Sequence, residues 1–188
     1  MKKILSFLLA TFLFCQPAFP ALITPDNYDK LFLKFNASGT SVADSSTASP
    51  KSPSCQGNAT QIEYKFNKTA GYFNGASYLD VANSSDFAFG TGAFTVEFFV
   101  FFDSVANSVI YDTRTATANT TGFYIGVTSG KLVFVTATTA RITGATSLSA
   151  NTWYHVMAIG DGGGAGARTV KLYLNGSQEG STYTNDYN

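Results

Sequence analysis

Histidine and tryptophan occur once each in 188 residues, cysteine and methionine twice each, and only 13% of side chains are charged. Each scarcity removes a class of chemistry. A metal centre built on imidazoles or thiolates needs several such donors, and His155 has no second histidine to join it. Twelve basic and twelve acidic side chains cancel to a formal charge of zero, so no basic field exists to collect nucleic acid. The apolar head of the chain, Ile4 to Cys15, runs for twelve residues, short of the roughly 20 that a helical membrane span needs.

What is plentiful points to sheet. Phe (17), Tyr (10) and Gly (17) stand beside many Ser and Thr, and 45% of residues are hydrophobic. That mixture suits many strands joined by tight turns. "MKK", the apolar run and "QPAFPA" have the three-part layout of a secretory leader. Residues 1–21 are therefore expected to be a signal peptide, cut after Ala21 or alternatively after Ala18. Residues 22–29 form a short lead, and 30–188 one domain. Removal of Lys2 and Lys3 leaves ten basic and twelve acidic side chains. Cys55 is then unpaired, an unusual state for an exported protein. It reads as a semi-exposed loop thiol, or as one whose partner lies outside this chain.

From Leu31 onward the periodicity is two. "LFLKF" reads as a first strand. The Ser/Thr-rich stretch from Ser38 to Thr60 has almost no apolar content and reads as a long loop, mobile or partly structured. "QIEYKF" places Ile62, Tyr64 and Phe66 on one face, and Asn74–Gly75 signals a hairpin. "GAFTVEFFVFF" sets Phe94, Val96, Phe98, Val100 and Phe102 against Thr95, Glu97, Phe99 and Phe101. A strand apolar on most of both faces is expected to be central. Ser129–Gly130 and Asn175–Gly176 predict tight hairpins. About ten short strands without a convincing helix indicate an all-β, antiparallel two-sheet sandwich.

Two blocks carry a resemblance. "FNGASYLDVANSSDFAFGTGAFTVEFFVFFDS" (Phe73, Gly75, Tyr78, Leu79, Asp86, Phe87, Phe89, Gly90, Phe94, Thr95, Glu97, Phe99, Val100) is similar to laminin G-like, concanavalin A-like jelly-roll domains. "LSANTWYHVMAIGDGG" with "TVKLYLNGSQEGS" resembles the same family's Trp-Tyr-His-Val strand and Asn-Gly hairpin. The match spans about Lys30 to Tyr187. Phe99 stands where Trp is common. Family members usually add further closing strands after the point reached by "TYTNDYN", so the resemblance implies a shortened domain. An open edge of that kind is expected to favour edge-mediated self-association.

The chemical constellations are sparse. Trp153, His155, Met157 and Ile159 share one strand face, and Tyr154, Val156 and Ala158 the other. His155 reads as a packed or hydrogen-bonded strand residue, since no Gly-x-Ser-x-Gly elbow accompanies it. The run "GDGGGAGA" lies between two strands. A phosphate cradle needs a helix after the loop, so the run reads as a flexible hairpin connection. Related jelly rolls include β-glucanases, but glycoside hydrolysis needs two carboxyl groups, about 5–5.5 Å apart for retention. Glu97 has Thr95 and Phe99 as same-face neighbours, and Glu63 and Glu179 lie on other strands, so no catalytic residue is assigned and no enzyme is expected. Asp86, Asp112, Asn119, Asp161, Asn185 and Asp186 are oxygen donors compatible with calcium, but they have no ligand spacing. No cofactor is expected to be required, and calcium is the one compatible ion. Tyr111, Tyr124 and Tyr154 are the aromatic candidates for a sugar platform. Sequons stand at Asn36, Asn58, Asn67, Asn83, Asn119 and Asn175.

The expected function is an exported, non-catalytic recognition module at a cell surface, virion or matrix. It would bind carbohydrate or an extracellular protein through its loops. A structural or adhesion spacer and an accessory domain of a longer secreted enzyme remain the alternatives.

Overall fold

The computed structural model describes residues 4–5, 30–35, 39–47, 49–64, 68–90, 92–115 and 121–185. The expected cleavage sites, the lead at 22–29 and Phe66 lie outside them. Fifteen strands run in chain order: β1 (Ile4–Leu5), β2 (Leu33–Lys34), β3 (Ala43–Asp44), β4 (Ser54–Gln56), β5 (Thr60–Tyr64), β6 (Lys68–Tyr72), β7 (Tyr78–Asp80), β8 (Phe94–Phe102), β9 (Ser108–Asp112), β10 (Phe123–Thr128), β11 (Lys131–Thr136), β12 (Thr139–Thr143), β13 (Thr152–Gly160), β14 (Thr169–Leu174) and β15 (Ser177–Thr184). A 3-10 turn at Ser85–Phe87 is the one helical element among the described residues.

Seven strands form one main sheet in the order β12-β11-β10-β9-β1-β7-β4, four form the other main sheet in the order β15-β14-β13-β8, and β2–β3 and β5–β6 are two-stranded sheets of their own. All their pairings are antiparallel. The sheets face each other across one hydrophobic core. This is the expected all-β sandwich.

Alternation decides which side chains enter that core. Along β8, Phe94, Val96, Phe98, Val100 and Phe102 are buried, while Thr95 and Glu97 are exposed and Phe99 and Phe101 half-buried. Along β13, Tyr154, Val156 and Ala158 are buried and the intervening residues are not. Aromatic rings join the two layers. Phe94 of β8 stacks on Phe123 of β10 at 5.0 Å, and Phe123 on Phe134 of β11 at 4.8 Å. Phe134 reaches Tyr183 of β15 at 6.5 Å, which returns the chain of rings to the smaller sheet.

Both expected hairpins form. Ser129–Gly130 and Asn175–Gly176 have positive φ at both central residues, the requirement of a two-residue type I′ turn. The glycine run connects β13 to β14 as a hairpin loop, closed by the Asp161 amide donating to the Thr169 carbonyl at 3.1 Å.

Two expectations are corrected. β8 lies at the end of its sheet, with β13 as its one strand neighbour among the described residues. Its second apolar set is used sideways: Phe99 and Phe101 pack on His155 and Trp153 of β13. Asn74–Gly75 is a corner between sheets, because β6 pairs with β5 and β7 with β4. There Asn74 Oδ1 accepts the Ala76 amide, and Ser77 Oγ accepts the Asn74 amide.

The stretch from Ser38 to Thr60 is partly structured. Asp44 accepts the amides of Phe32, Ser46 and Lys51, so the segment is ordered by its own carboxylate as well as by the burial of Val42 in the core. In β5 it is Gln61 that is buried, with Ile62 half-buried. Gln61 is tolerated inside because its amide nitrogen donates to the Ser41 carbonyl.

The sheets meet along one side where β12 lies against β15. A side chain at Gly180 would bring its Cβ to 2.6 Å from the Thr143 carbonyl oxygen, and one at Gly144 would come to 2.7 Å from Glu179 Oε2. Glu179 is buried there at 4% exposure. Its Oε2 accepts the Thr146 amide at 3.0 Å and its Oε1 the Thr146 hydroxyl at 2.6 Å. Burial pushes the Glu179 carboxyl up. The hydrogen bonds from Thr146 and Ala145 and the Lys131 charge outweigh this and hold it below its usual range.

A depressed folded value means that this stabilisation is present above the unfolded carboxyl value, about 4.3, and is lost as pH falls through the folded one. Melts of wild type are therefore expected to lose stability below about pH 4. The Glu179→Gln variant should lose less over that window and should start about 1–3 kcal/mol lower at neutral pH. Phe98, fully buried in β8, should cost about 3–5 kcal/mol as Phe98→Ala in denaturant unfolding.

Candidate functional site

The outward face of the four-stranded sheet gathers unusual side chains. Register places them in rows. Phe101 of β8 stands opposite Trp153 of β13, Phe99 opposite His155, and Glu97 opposite Met157. β14 continues the Met157 row with Tyr173 and the Ile159 row with Lys171, and β15 adds Gln178 opposite Tyr173. All of these except the exposed Glu97, Lys171 and Gln178 are half-buried. They lie outside because the inward set on each strand is already committed to the core.

The rows hold together by direct contacts. Phe101 and Trp153 lie 5.4 Å apart at 52°, and Phe99 and His155 4.8 Å apart at 39°. His155 Nε2 meets Glu97 Oε1 at 2.7 Å, a diagonal contact across the β8–β13 pair. The His155 backbone is also tied down: its amide donates to Asn175 Oδ1 at 2.9 Å, and its carbonyl accepts the Asn175 amide at 2.8 Å. Asn175 thus carries both the left-handed turn conformation and the clamp on the histidine strand. The outcome is a ribbon of rings with a carboxylate–imidazole pair and a phenol beside it. Such a surface can stack on flat apolar faces and exchange hydrogen bonds around them.

His155 is therefore a hydrogen-bonded strand histidine, as expected. Glu97 has no second carboxylate beside it, but the imidazole is a partner that the reading along β8 alone did not find. The cross-strand register that joins them spans 58 residues of sequence. The clue was present in the parity of the two strands: Glu97 and His155 both belong to the outward sets.

The sugar-platform tyrosines lie elsewhere. Tyr111 is buried at 4% exposure, and burial, then the Asp112 charge, push its phenol far up. Tyr154 is buried and its hydroxyl accepts the Ser149 amide at 2.8 Å. Tyr124 is half-buried with the Arg114 guanidinium 4.3 Å over its ring. Each already serves packing.

The described oxygen donors considered for calcium each have a partner of their own. Asp86 is bonded by Lys51 at 2.7 Å, which holds its carboxyl below the usual range. Asp112 is bonded by Arg114 at 2.7 Å. Asp161 accepts the Thr169 amide and hydroxyl, and these bonds hold it low too. The Asn185 amide donates to the Arg168 carbonyl. Asn119 and Asp186 lie outside the described residues. Among the described residues no three His, Cys, Asp or Glu side chains cluster for a metal. Cys55 is not a loop thiol: it sits in β4, paired with Leu79, half-buried against the core, and burial raises its thiol.

Comparison with known families agrees with this architecture. A family model named for the laminin G domain and described as the concanavalin A-like lectin/glucanases superfamily matches residues 70–188. Searches of curated proteins and of solved structures gave no match.

Glu97 has 56% of its side chain exposed and His155 24%, so solvent screens their attraction. A double-mutant cycle with Glu97→Ala and His155→Ala should give a coupling below about 1 kcal/mol that shrinks with added salt. A larger, salt-insensitive coupling would show the pair to be a structural anchor instead.

Proposed function

Because the chain belongs to the concanavalin A-like lectin/glucanases superfamily, we propose that it is a non-catalytic recognition module that binds carbohydrate on the outward face of β8, β13 and β14. One observation carries the reading: a half-exposed ring ribbon of Phe99, Phe101 and Trp153, with Glu97, His155 and Tyr173 beside it. Pyranose rings present a flat C–H face for stacking and hydroxyls at their rim. That pattern calls for rings bordered by donors and acceptors, which a purely apolar protein-docking patch does not need. The sheet face, rather than the loops, is the proposed site. The charged groups at the loop candidates are already engaged in internal pairs, whereas Glu97 has its imidazole contact alone. Residues 1–21 are proposed to be a leader, and the domain to act outside the cell.

A glycan array followed by calorimetry on the best hit tests this. Trp153→Ala should weaken binding by tenfold or more, about 1.4 kcal/mol, while lowering stability by less, since the ring is not in the core. The absence of any glycan hit would leave the spacer reading in place.

Removal of divalent ions with a chelator should leave the affinity unchanged, because the face offers one carboxylate, already bonded to His155. A chelator-sensitive affinity would move the site to a sheet rim.

A further inference from the structure

The chain holds two Asn-Gly pairs, Asn74–Gly75 and Asn175–Gly176, and both asparagines are exposed. The fold treats their side chains differently. The Asn175 carboxamide is held by another strand: its Oδ1 accepts the His155 amide at 2.9 Å, while its own amide donates to the His155 carbonyl at 2.8 Å. Its φ of 50° also fixes it in the left-handed turn. Asn74 lies at the corner between β6 and β7, outside any strand. Its Oδ1 accepts the Ala76 amide at 3.1 Å, two residues on, and its own amide donates to Ser77 Oγ at 3.1 Å. This is an Asx turn, in which a side-chain carbonyl takes the place of a backbone one. The turn folds Asn74 Cγ back over the Gly75 peptide. The Gly75 amide donates to no described residue.

We propose that Asn74 is a site of spontaneous modification to aspartate and isoaspartate, and that the fold withholds the same chemistry from Asn175. The Gly75 nitrogen, uncrowded because glycine has no Cβ, adds to Asn74 Cγ and gives its proton to solvent. The Ala76 amide stabilises the negative charge that builds on Oδ1. The Cγ–Nδ2 bond breaks, Nδ2 takes up a proton, and ammonia leaves a cyclic imide behind. Water then opens the imide. Cleavage at Cγ leaves aspartate on the original main chain. Cleavage at the main-chain carbonyl carbon leaves isoaspartate, with the chain running through Cβ and Cγ. For Asn175 the same closure must first break the bond from the His155 amide and leave the left-handed turn. Either product adds a negative charge at the corner. Aspartate keeps an acceptor for the Ala76 amide. Isoaspartate lengthens the main chain and dissolves the Asx turn, next to Phe73, which packs on the core. The proposal is independent of the carbohydrate reading.

The test stores the full chain in mildly alkaline buffer and follows both asparagines by peptide mass after digestion. In the folded protein Asn74 should convert roughly tenfold or more faster than Asn175, with isoaspartate among its products. In urea, where neither turn exists, the two rates should come together, because each asparagine then precedes an unconstrained glycine. Storage of the folded chain should also build up a more acidic form. Asn74→Gln, whose longer side chain closes such a ring slowly, should form it at well below the wild-type rate. Equal conversion of the two asparagines in the folded protein, or faster conversion of Asn175, overturns the proposal. The same preference for Asn74 persisting in urea also overturns it, since the difference then comes from neighbouring residues and not from the fold. An acidic form that builds up as fast in Asn74→Gln does so too.

Discussion

The stack of Phe94, Phe123 and Phe134 joins the two sheets, and much of the molecule follows from it. Each ring enters from a different strand, and their centroids lie about 5 Å apart. Rings of this size must meet face to edge or offset, so the sheets cannot slide without losing several contacts together. A strand whose Phe94 is fixed inward has its whole parity fixed, because side chains alternate. Glu97, Phe99 and Phe101 are then outward with no freedom to exchange. The same reasoning, transmitted through the β8–β13 register, sets Trp153 and His155 beside them. The face proposed for recognition is therefore a by-product of the core's geometry.

Charge does a different job. With so few ionisable groups, several of them are used to fasten irregular segments. Asp44 gathers the amides of Phe32, Ser46 and Lys51. Lys51 in turn reaches Asp86, which also accepts from Ser84 at the 3-10 turn. Arg114 grips Asp112 with two nitrogens and reaches the Ala137 carbonyl. Glu179 holds the connection after β12 to β15. These contacts lie where backbone groups leave the ladders and need substitutes for lost strand partners. Glu97 instead meets the imidazole of His155 on the outward face of the smaller sheet.

Local pattern was legible where local physics decides. Alternation assigned the faces of β8 and β13, and Asn-Gly and Ser-Gly pairs located the type I′ turns, because those features are settled within a few residues. The family resemblance drawn from Phe73–Ser104 and Leu148–Ser181 falls within the matched region. Placement across the sheets was not legible. The position of β8 at the end of its sheet, the corner at Asn74–Gly75 and the burial of Gln61 all depend on which distant strand arrives alongside. Tyr111, Tyr124 and Tyr154 look alike as sequence, yet each is claimed by a separate partner. The face proposed for recognition was half visible. The sequence places Trp153 and His155 on one strand face, but the Phe99, Phe101 and Glu97 row that lies beside them belongs to a strand over fifty residues earlier.

That separation has a bearing on how the chain is made. β8 pairs along its whole length with β13, from Phe94 opposite Gly160 to Phe102 opposite Thr152. During synthesis the phenylalanine-rich strand leaves the ribosome well before its partner exists. For that interval its rings have neither the opposite layer nor the neighbouring strand to cover them, and such long-range pairing is slow to close. A nascent chain of this kind keeps that apolar surface uncovered until residue 160 has emerged. The arrangement that makes the finished surface firm makes its precursor sticky.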